Sequence, residues 1–193
     1  LQYDAILDQI VSSGLPTVST DGNGHGTYVS SVVLSSGRNK SGRHGIAPKA
    51  GLLSVKAFDA YGEGTYLDVI RAIDFVVKTK DEFDTRVLNL SFSSPAISLY
   101  WEDPLNQAVM AAWEAGIVVV ASAGNTGPGA QTIGVPGNVP YVITVGAMTD
   151  SYTPQDGTDD VLASFSATGP TYEGFVKPEI VAPGGHMLGL MRN

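Results

Sequence analysis

Ile117-Val118-Val119-Val120-Ala121 is an uninterrupted apolar run of five residues. Four of the five are β-branched, and the run is too short for a helix of its own. It reads as a continuous strand of the kind buried on both faces of a parallel sheet. Upstream, Asp103-Pro104 supplies an N-cap and a first-turn proline, and Gly116 supplies the stop, so a helix feeds directly into this strand. Before it, Val87 to Phe92 reads as another strand. Earlier still, Thr65 with Asp68 three residues on has the form of a capping box. Leu67, Ile70, Ile73, Asp74 and Val77 then recur at helical spacing, giving a largely apolar face. Leu52 to Phe58 is a short β-rich run ended by the turn-prone Asp59-Ala60-Tyr61-Gly62-Glu63-Gly64, and Tyr141 to Ala147 and Ile180 to Ala182 look like further strands. This alternation predicts an α/β fold: a three-layer α/β/α arrangement around a mostly parallel sheet with right-handed crossovers. In such sheets the working residues gather on loops leaving the C-terminal strand edge.

Composition narrows the partners. The 193 residues suit one domain, expected to span 1–193, with residues 1–20 as an N-terminal segment of uncertain structure. Within it, Tyr3 to Val11 reads as a short amphipathic segment rather than a buried strand. A formal net charge of −8 argues against nucleic acid, and the basic run from Arg38 to Arg43 reads as a solvated loop. There is no cysteine, hence no disulfide or thiolate site. No apolar stretch reaches the ~20 residues needed to span a bilayer. His25, His44 and His186 lack the spacing of a zinc site, and no metal site is assigned. Asp150, Asp156, Asp159 and Asp160 cluster in a polar segment without a regular calcium-loop pattern; calcium is kept only as an outside reading and no cofactor is expected.

Two segments carry chemistry. In Asp21-Gly22-Asn23-Gly24-His25-Gly26-Thr27-Tyr28-Val29, a histidine stands between glycines at the start of a helix-like run. That is how a catalytic base is presented at a helix N-terminus, with Thr27 onward as the helix that fixes it; a plain surface turn is the bland reading. In Ala121-Ser122-Ala123-Gly124-Asn125, an asparagine follows two small residues at a strand end. Its amide could donate to an oxyanion, or it could serve as a turn residue before Thr126-Gly127-Pro128.

Together with Gly45-Ile46-Ala47-Pro48, Val87-Leu88-Asn89-Leu90-Ser91 and Lys177-Pro178-Glu179-Ile180-Val181-Ala182-Pro183-Gly184, these segments resemble, in order, motifs of the subtilases, the subtilisin-like serine proteases. The resemblance covers roughly Asp21 to Gly184. It implies a subtilisin-like peptidase fold and hydrolysis of peptide bonds through a Ser-His-Asp triad. In that scheme His25 is the general base and Asn125 the oxyanion donor. The resemblance makes Ala123 and Gly124 one wall of the pocket for the residue before the scissile bond. It makes Gly62-Glu63-Gly64 and Ser91-Phe92-Ser93 the edges between which an extended peptide or protein substrate lies. It also favours an extracellular or cell-envelope location.

The departures set the rest of the expectation. Ser93 stands where the family has glycine, which narrows the cleft. No Asp-Ser/Thr-Gly strand precedes His25, and no Gly-Thr-Ser motif follows Gly184. The reading is therefore of a peptidase domain truncated at both ends, inactive as this chain. A catalytically dead binding or assembly module is the alternative, and an unrelated nucleotide-binding protein ranks last. Exposed edges left by such a truncation predict dimerisation through exposed or exchanged segments.

Overall fold

The computed structural model describes residues 1–11, 21–37, 44–153 and 155–190. The predicted loop from Arg38 to Arg43 and part of the 1–20 segment lie outside the described residues. The chain divides into two compact units, Leu1–Phe75 with Leu188–Asn193, and Val76–Met187.

The first unit is built on a three-stranded sheet of order β2-β1-β3. Strand β1 (Gln2–Asp4) pairs antiparallel with β2 (Gln9–Val11) and parallel with β3 (Ser54–Lys56). The amphipathic segment expected over Tyr3 to Val11 is thus corrected to a hairpin. Its turn is made by Asp4, whose Oδ1 accepts the N–H groups of Ile6 (3.0 Å) and Leu7 (3.1 Å). Asp4 is buried and ion-paired with Lys56 at 3.5 Å. The Tyr3 ring stacks on Phe75 with centroids 3.9 Å apart, and its hydroxyl donates to Asp8. Burial, then that hydrogen bond and the Asp8 charge, push the Tyr3 hydroxyl up to about 12.

Two helices follow. Helix α1 (His25–Leu34) begins at the histidine itself, two residues earlier than predicted. Helix α2 (Tyr66–Lys78) has the predicted capping box: Thr65 Oγ1 accepts the Asp68 N–H at 3.2 Å and donates to its carboxylate at 2.6 Å. Its buried positions are Val69, Ala72, Ile73 and Val76, while Leu67 is exposed. This face, spaced i, i+3, i+4, i+7, is rotated from the predicted one. The periodicity identified the helix, but the apolar residues on its rim misplaced the stripe.

The second unit contains α3 (Lys80–Phe83), β4 (Val87–Leu90), α4 (Pro104–Glu114), β5 (Val118–Ser122), β6 (Ile143–Thr149), β7 (Val161–Leu162) and β8 (Ile180–Pro183). Strands β4, β5, β6 and β8 run parallel, with β5 between β4 and β6 and β8 beside β6; the short β7 is antiparallel to β6. The predicted cap of α4 is in place: Asp103 Oδ1 accepts from Leu105 at 2.9 Å and Asn106 at 3.1 Å. Gly116 ends the helix at φ +82°, where a Cβ would be strained. Helix α4 packs on β5 and buries Leu105, Val109 and Ala112.

The run Ile117 to Ala121, expected to be buried on both faces, is buried on one. Val119 and Ala121 are buried, but Val118 is 47% exposed and Val120 half-buried. Register places Val87 beside Val118, Ile143 beside Val120, and Ile180 beside Val145 on that second face, and Val87, Ile143 and Ile180 are exposed. Among the described residues of this unit, the parallel sheet is covered on one face only. The α/β class and the mostly parallel pairing are as predicted.

Candidate active site

In the first unit the histidine segment is a clamped turn leading into α1. Gly24 is the N-cap residue at φ +94°, a left-handed conformation that glycine alone adopts freely. Gly26 is helical, and a Cβ there would only touch Asp21 at 3.5 Å, so the backbone calls for glycine at 24 and not at 26. Lacking a side chain, Gly24 cannot cap the helix. Asp21 does it instead: Oδ1 accepts from the Gly24 N–H (2.8 Å), and Oδ2 accepts from the Thr27 N–H (2.8 Å) and hydroxyl (2.7 Å). Partial burial raises the Asp21 pKa, but these hydrogen bonds outweigh it and hold the carboxyl below its ordinary value. His25 is exposed, and its N–H donates to Asn23 Oδ1 at 3.3 Å.

The same unit brings the Gly62-Glu63-Gly64 edge to this turn. Asn23 Nδ2 donates to the Ala60 carbonyl at 3.4 Å, and a Cβ on Gly62 would lie 3.2 Å from that Nδ2. Asp59 closes the loop by accepting from Tyr61 (2.8 Å) and Glu63 (3.0 Å). Gly64 is confined by close approach: an added Cβ would stand 2.6 Å from the Ala57 carbonyl and 2.7 Å from the Phe58 ring.

In the second unit the remaining predicted residues leave the C-terminal ends of adjacent strands. Ser91, Phe92 and Ser93 follow β4; Ala123, Gly124 and Asn125 follow β5. Ala123 is buried with Ile133 and Ala167 in one apolar cluster. Its carbonyl accepts from Gly134 at 3.2 Å, and the Gly124 carbonyl accepts from Ala167 at 2.9 Å. Gly124 sits at φ +108°, which turns the chain and leaves Asn125 exposed. Ser93 lies over two glycines: its Oγ would be 2.9 Å from a Cβ on Gly124, and a Cβ on Gly134 would collide with it outright. Ser94 pairs with Val135 (N–H to O 3.0 and 2.8 Å), which fixes Ser93 in that position. Asn89 Nδ2 donates to Ser91 Oγ at 2.8 Å, giving Ser91 a hydrogen-bonding role at the strand end.

Sequence reading missed Asp21, Gly134 and Ala167. Asp21 had a signal: an acid three residues before a glycine and six before a threonine. Gly134 and Ala167 had none, because only the fold brings them to Ala123 and Gly124. Among the described residues no three His, Asp or Glu side chains gather as a metal site. In the acidic segment Asp159 accepts from the Thr153 hydroxyl and Asp156 from that of Thr158.

The model of the subtilase family of peptidases matches residues 7–192. Serine protease AprX of Bacillus subtilis is 44% identical over 176 residues, covering 88% of this chain and 40% of that protein. Subtilisin DY of Bacillus licheniformis is 38% identical over 168 residues, 86% and 53% of the two chains. Among solved structures, sphericase superposes with a TM-score of 0.77 at 28% identity, over 97% of this chain and 60% of its own. A psychrophilic protease, S41, gives 0.72 at 31% identity over 94% and 58%. The chain spans about half the length of the curated relatives it matches.

Proposed function

The chain belongs to the subtilase family, and from that premise we propose that it supplies the base and the oxyanion donor of a serine endopeptidase. A serine hydroxyl is a weak nucleophile until a neutral imidazole takes its proton, and the same imidazole then returns it to the leaving amine. His25 is assigned that task. Asn125 is assigned to the oxyanion of the tetrahedral intermediate, a donor worth ~3–4 kcal/mol in such sites. Extended substrate is assigned to the edges Gly62-Glu63-Gly64 and Ser91-Phe92-Ser93, with Ala123 and Gly124 as a wall beside the scissile bond.

Two observations, each within its own unit, support this reading: His25 is exposed on a clamped helix start, and Asn125 is exposed on a glycine-turned strand end. The isolated chain is expected to be inactive, since its 193 residues contain neither Gly-Thr-Ser nor Asp-Ser/Thr-Gly. The same reading carries an extracellular or cell-envelope location. Among the described residues no helix is long and apolar enough to cross a membrane.

The test is a chimera in which this chain replaces the matching 176 residues of AprX. It should hydrolyse casein, lose that activity with His25→Ala, and lose ~10²–10³-fold in kcat with Asn125→Ala. A fluorophosphonate should label the chimera and leave the 193-residue chain untouched. Casein turnover that survives His25→Ala, or labelling of the isolated chain, overturns the proposal.

A further inference from the structure

His25 is held by its backbone, because among the described residues no hydrogen bond reaches its ring. Its direction therefore depends on how firmly residues 24 to 27 are fixed. Gly24, the N-cap, has no side chain with which to satisfy the free N–H groups of the first turn of α1. One carboxylate from outside the helix grips both sides of the histidine: Oδ1 at Gly24, one residue before it, and Oδ2 at Thr27, two residues after it. The Thr27 hydroxyl adds a second bond to Oδ2. The negative charge also lies at the positive end of the α1 dipole.

We propose that Asp21 is the positioning residue of His25, setting the direction of its Cα–Cβ bond by gripping Gly24 and Thr27 on either side of it. This rests on the protease reading only for the use made of the histidine. The geometric claim stands apart from it. Asp21 touches no reacting atom; it acts through the backbone of the turn. Three charge-assisted bonds to one carboxylate hold that turn more rigidly than a serine or threonine cap could, because a hydroxyl cap serves one N–H at a time. The depressed pKa of Asp21 is the expected companion of such a grip.

The test uses the 193-residue chain with Asp21→Ala, Asp21→Asn and Thr27→Val. Two quantities are read by NMR: amide exchange at Gly24 and Thr27, and the ordering of the His25 Cα–Cβ direction from residual dipolar couplings. The native chain should show one fixed Cα–Cβ direction. Asp21→Ala should speed exchange at Thr27 about tenfold, the scale of a lost cap, and lower the ordering of that direction. Asp21→Asn, which keeps one acceptor and turns a donor toward the other N–H, should fall between. Faster exchange at Thr27 with an unchanged ordering of the His25 Cα–Cβ direction would make Asp21 a helix cap and nothing more, and overturns the proposal. Should Asp21→Ala unfold the first unit, Thr27→Val decides: it removes one bond to Oδ2 and keeps the carboxylate. Partial loss of ordering in the His25 Cα–Cβ direction supports the proposal, and an unchanged ordering refutes it. A chimera that is inactive while His25 stays ordered counts against the protease reading alone.

Discussion

Replacing Glu179 is predicted to destabilise the second unit strongly, because a buried cation depends on it. The Lys177 side chain is 1% exposed, and its ammonium donates to the Val142 carbonyl at 2.9 Å and to Glu179 Oε1 at 2.5 Å. The other Glu179 oxygen accepts the Thr144 N–H at 2.8 Å. At an effective dielectric near 20, charges about 2.5 Å apart attract by roughly 6–7 kcal/mol, which offsets several kcal/mol of ammonium desolvation. Removing the carboxylate leaves that desolvation with one neutral acceptor, and orphans the Thr144 N–H as well. Such breaks cost about 3–5 kcal/mol; Glu179 is 37% exposed, so Glu179→Ala belongs at about 3 kcal/mol. Lys177→Met leaves a carboxylate that still has Thr144 and water, and should cost about 1–2 kcal/mol. The double variant adds the orphaned Thr144 N–H to the cost of Lys177→Met and should cost about 2–3 kcal/mol, giving a coupling of about 2 kcal/mol.

Urea unfolding of the four chains in the cycle measures this, with amide exchange at Thr144 as the local readout. A coupling below about 0.5 kcal/mol would refute the argument. The pH dependence supplies a second check. Burial lowers the Lys177 pKa, and the Glu179 hydrogen bond and charge only partly restore it. At neutral pH the ammonium is charged in both states and its burial opposes folding. As pH rises from the lowered folded value toward the ordinary lysine value, the unfolded chain holds more protons, so stability attributable to Lys177 increases. The difference between the native chain and Lys177→Met should therefore shift in favour of the native chain over that alkaline window. A difference that is flat there would place Lys177 outside the buried pair.

Two further predictions rest on the second unit. Ser93→Gly, in the AprX chimera, should open the space beside Gly124 and Gly134 and raise kcat/KM for substrates with a large residue before the scissile bond, by about tenfold as for one or two methylenes in a pocket. An unchanged ratio of large to small substrates would put Ser93 outside that pocket. The isolated chain should dimerise, since β4 is an edge strand and Val87, Val118, Ile143 and Ile180 leave one sheet face apolar and exposed. A strictly monomeric mass by light scattering at tens of micromolar would count against it.

What was legible in the sequence is what local chemistry decides. Thr65 with Asp68, Asp103 with Pro104, and Gly116 mark helix ends because a cap is formed by residues within one turn of it. The strand ends at Ser91 and Asn125 could be found because the α/β alternation puts working loops there. The Tyr3 to Val11 hairpin could not be found that way. Its strands are three residues each, and Tyr3 is buried by stacking on Phe75, a partner more than seventy positions away. The wall around Ser93 was hidden for the same reason: Gly134 and Ala167 reach Ala123 and Gly124 through the fold alone.

The opening run carries the further point. Ile117 to Ala121 is as apolar as a strand buried on both sides, yet α4 covers one face and Val118 remains exposed. A sequence records the environment in which a strand is stable, not the layers that a given stretch of chain supplies. Where composition asks for two covered faces and the described residues provide one, apolar area of Val87, Val118, Ile143 and Ile180 stays in water at about 25 cal/mol for each Å² left unburied. That mismatch is the physical ground for the predicted self-association. It is also independent of every catalytic assignment, so a monomer with a fully exposed face would contradict the packing argument even if His25 and Asn125 proved to work as proposed.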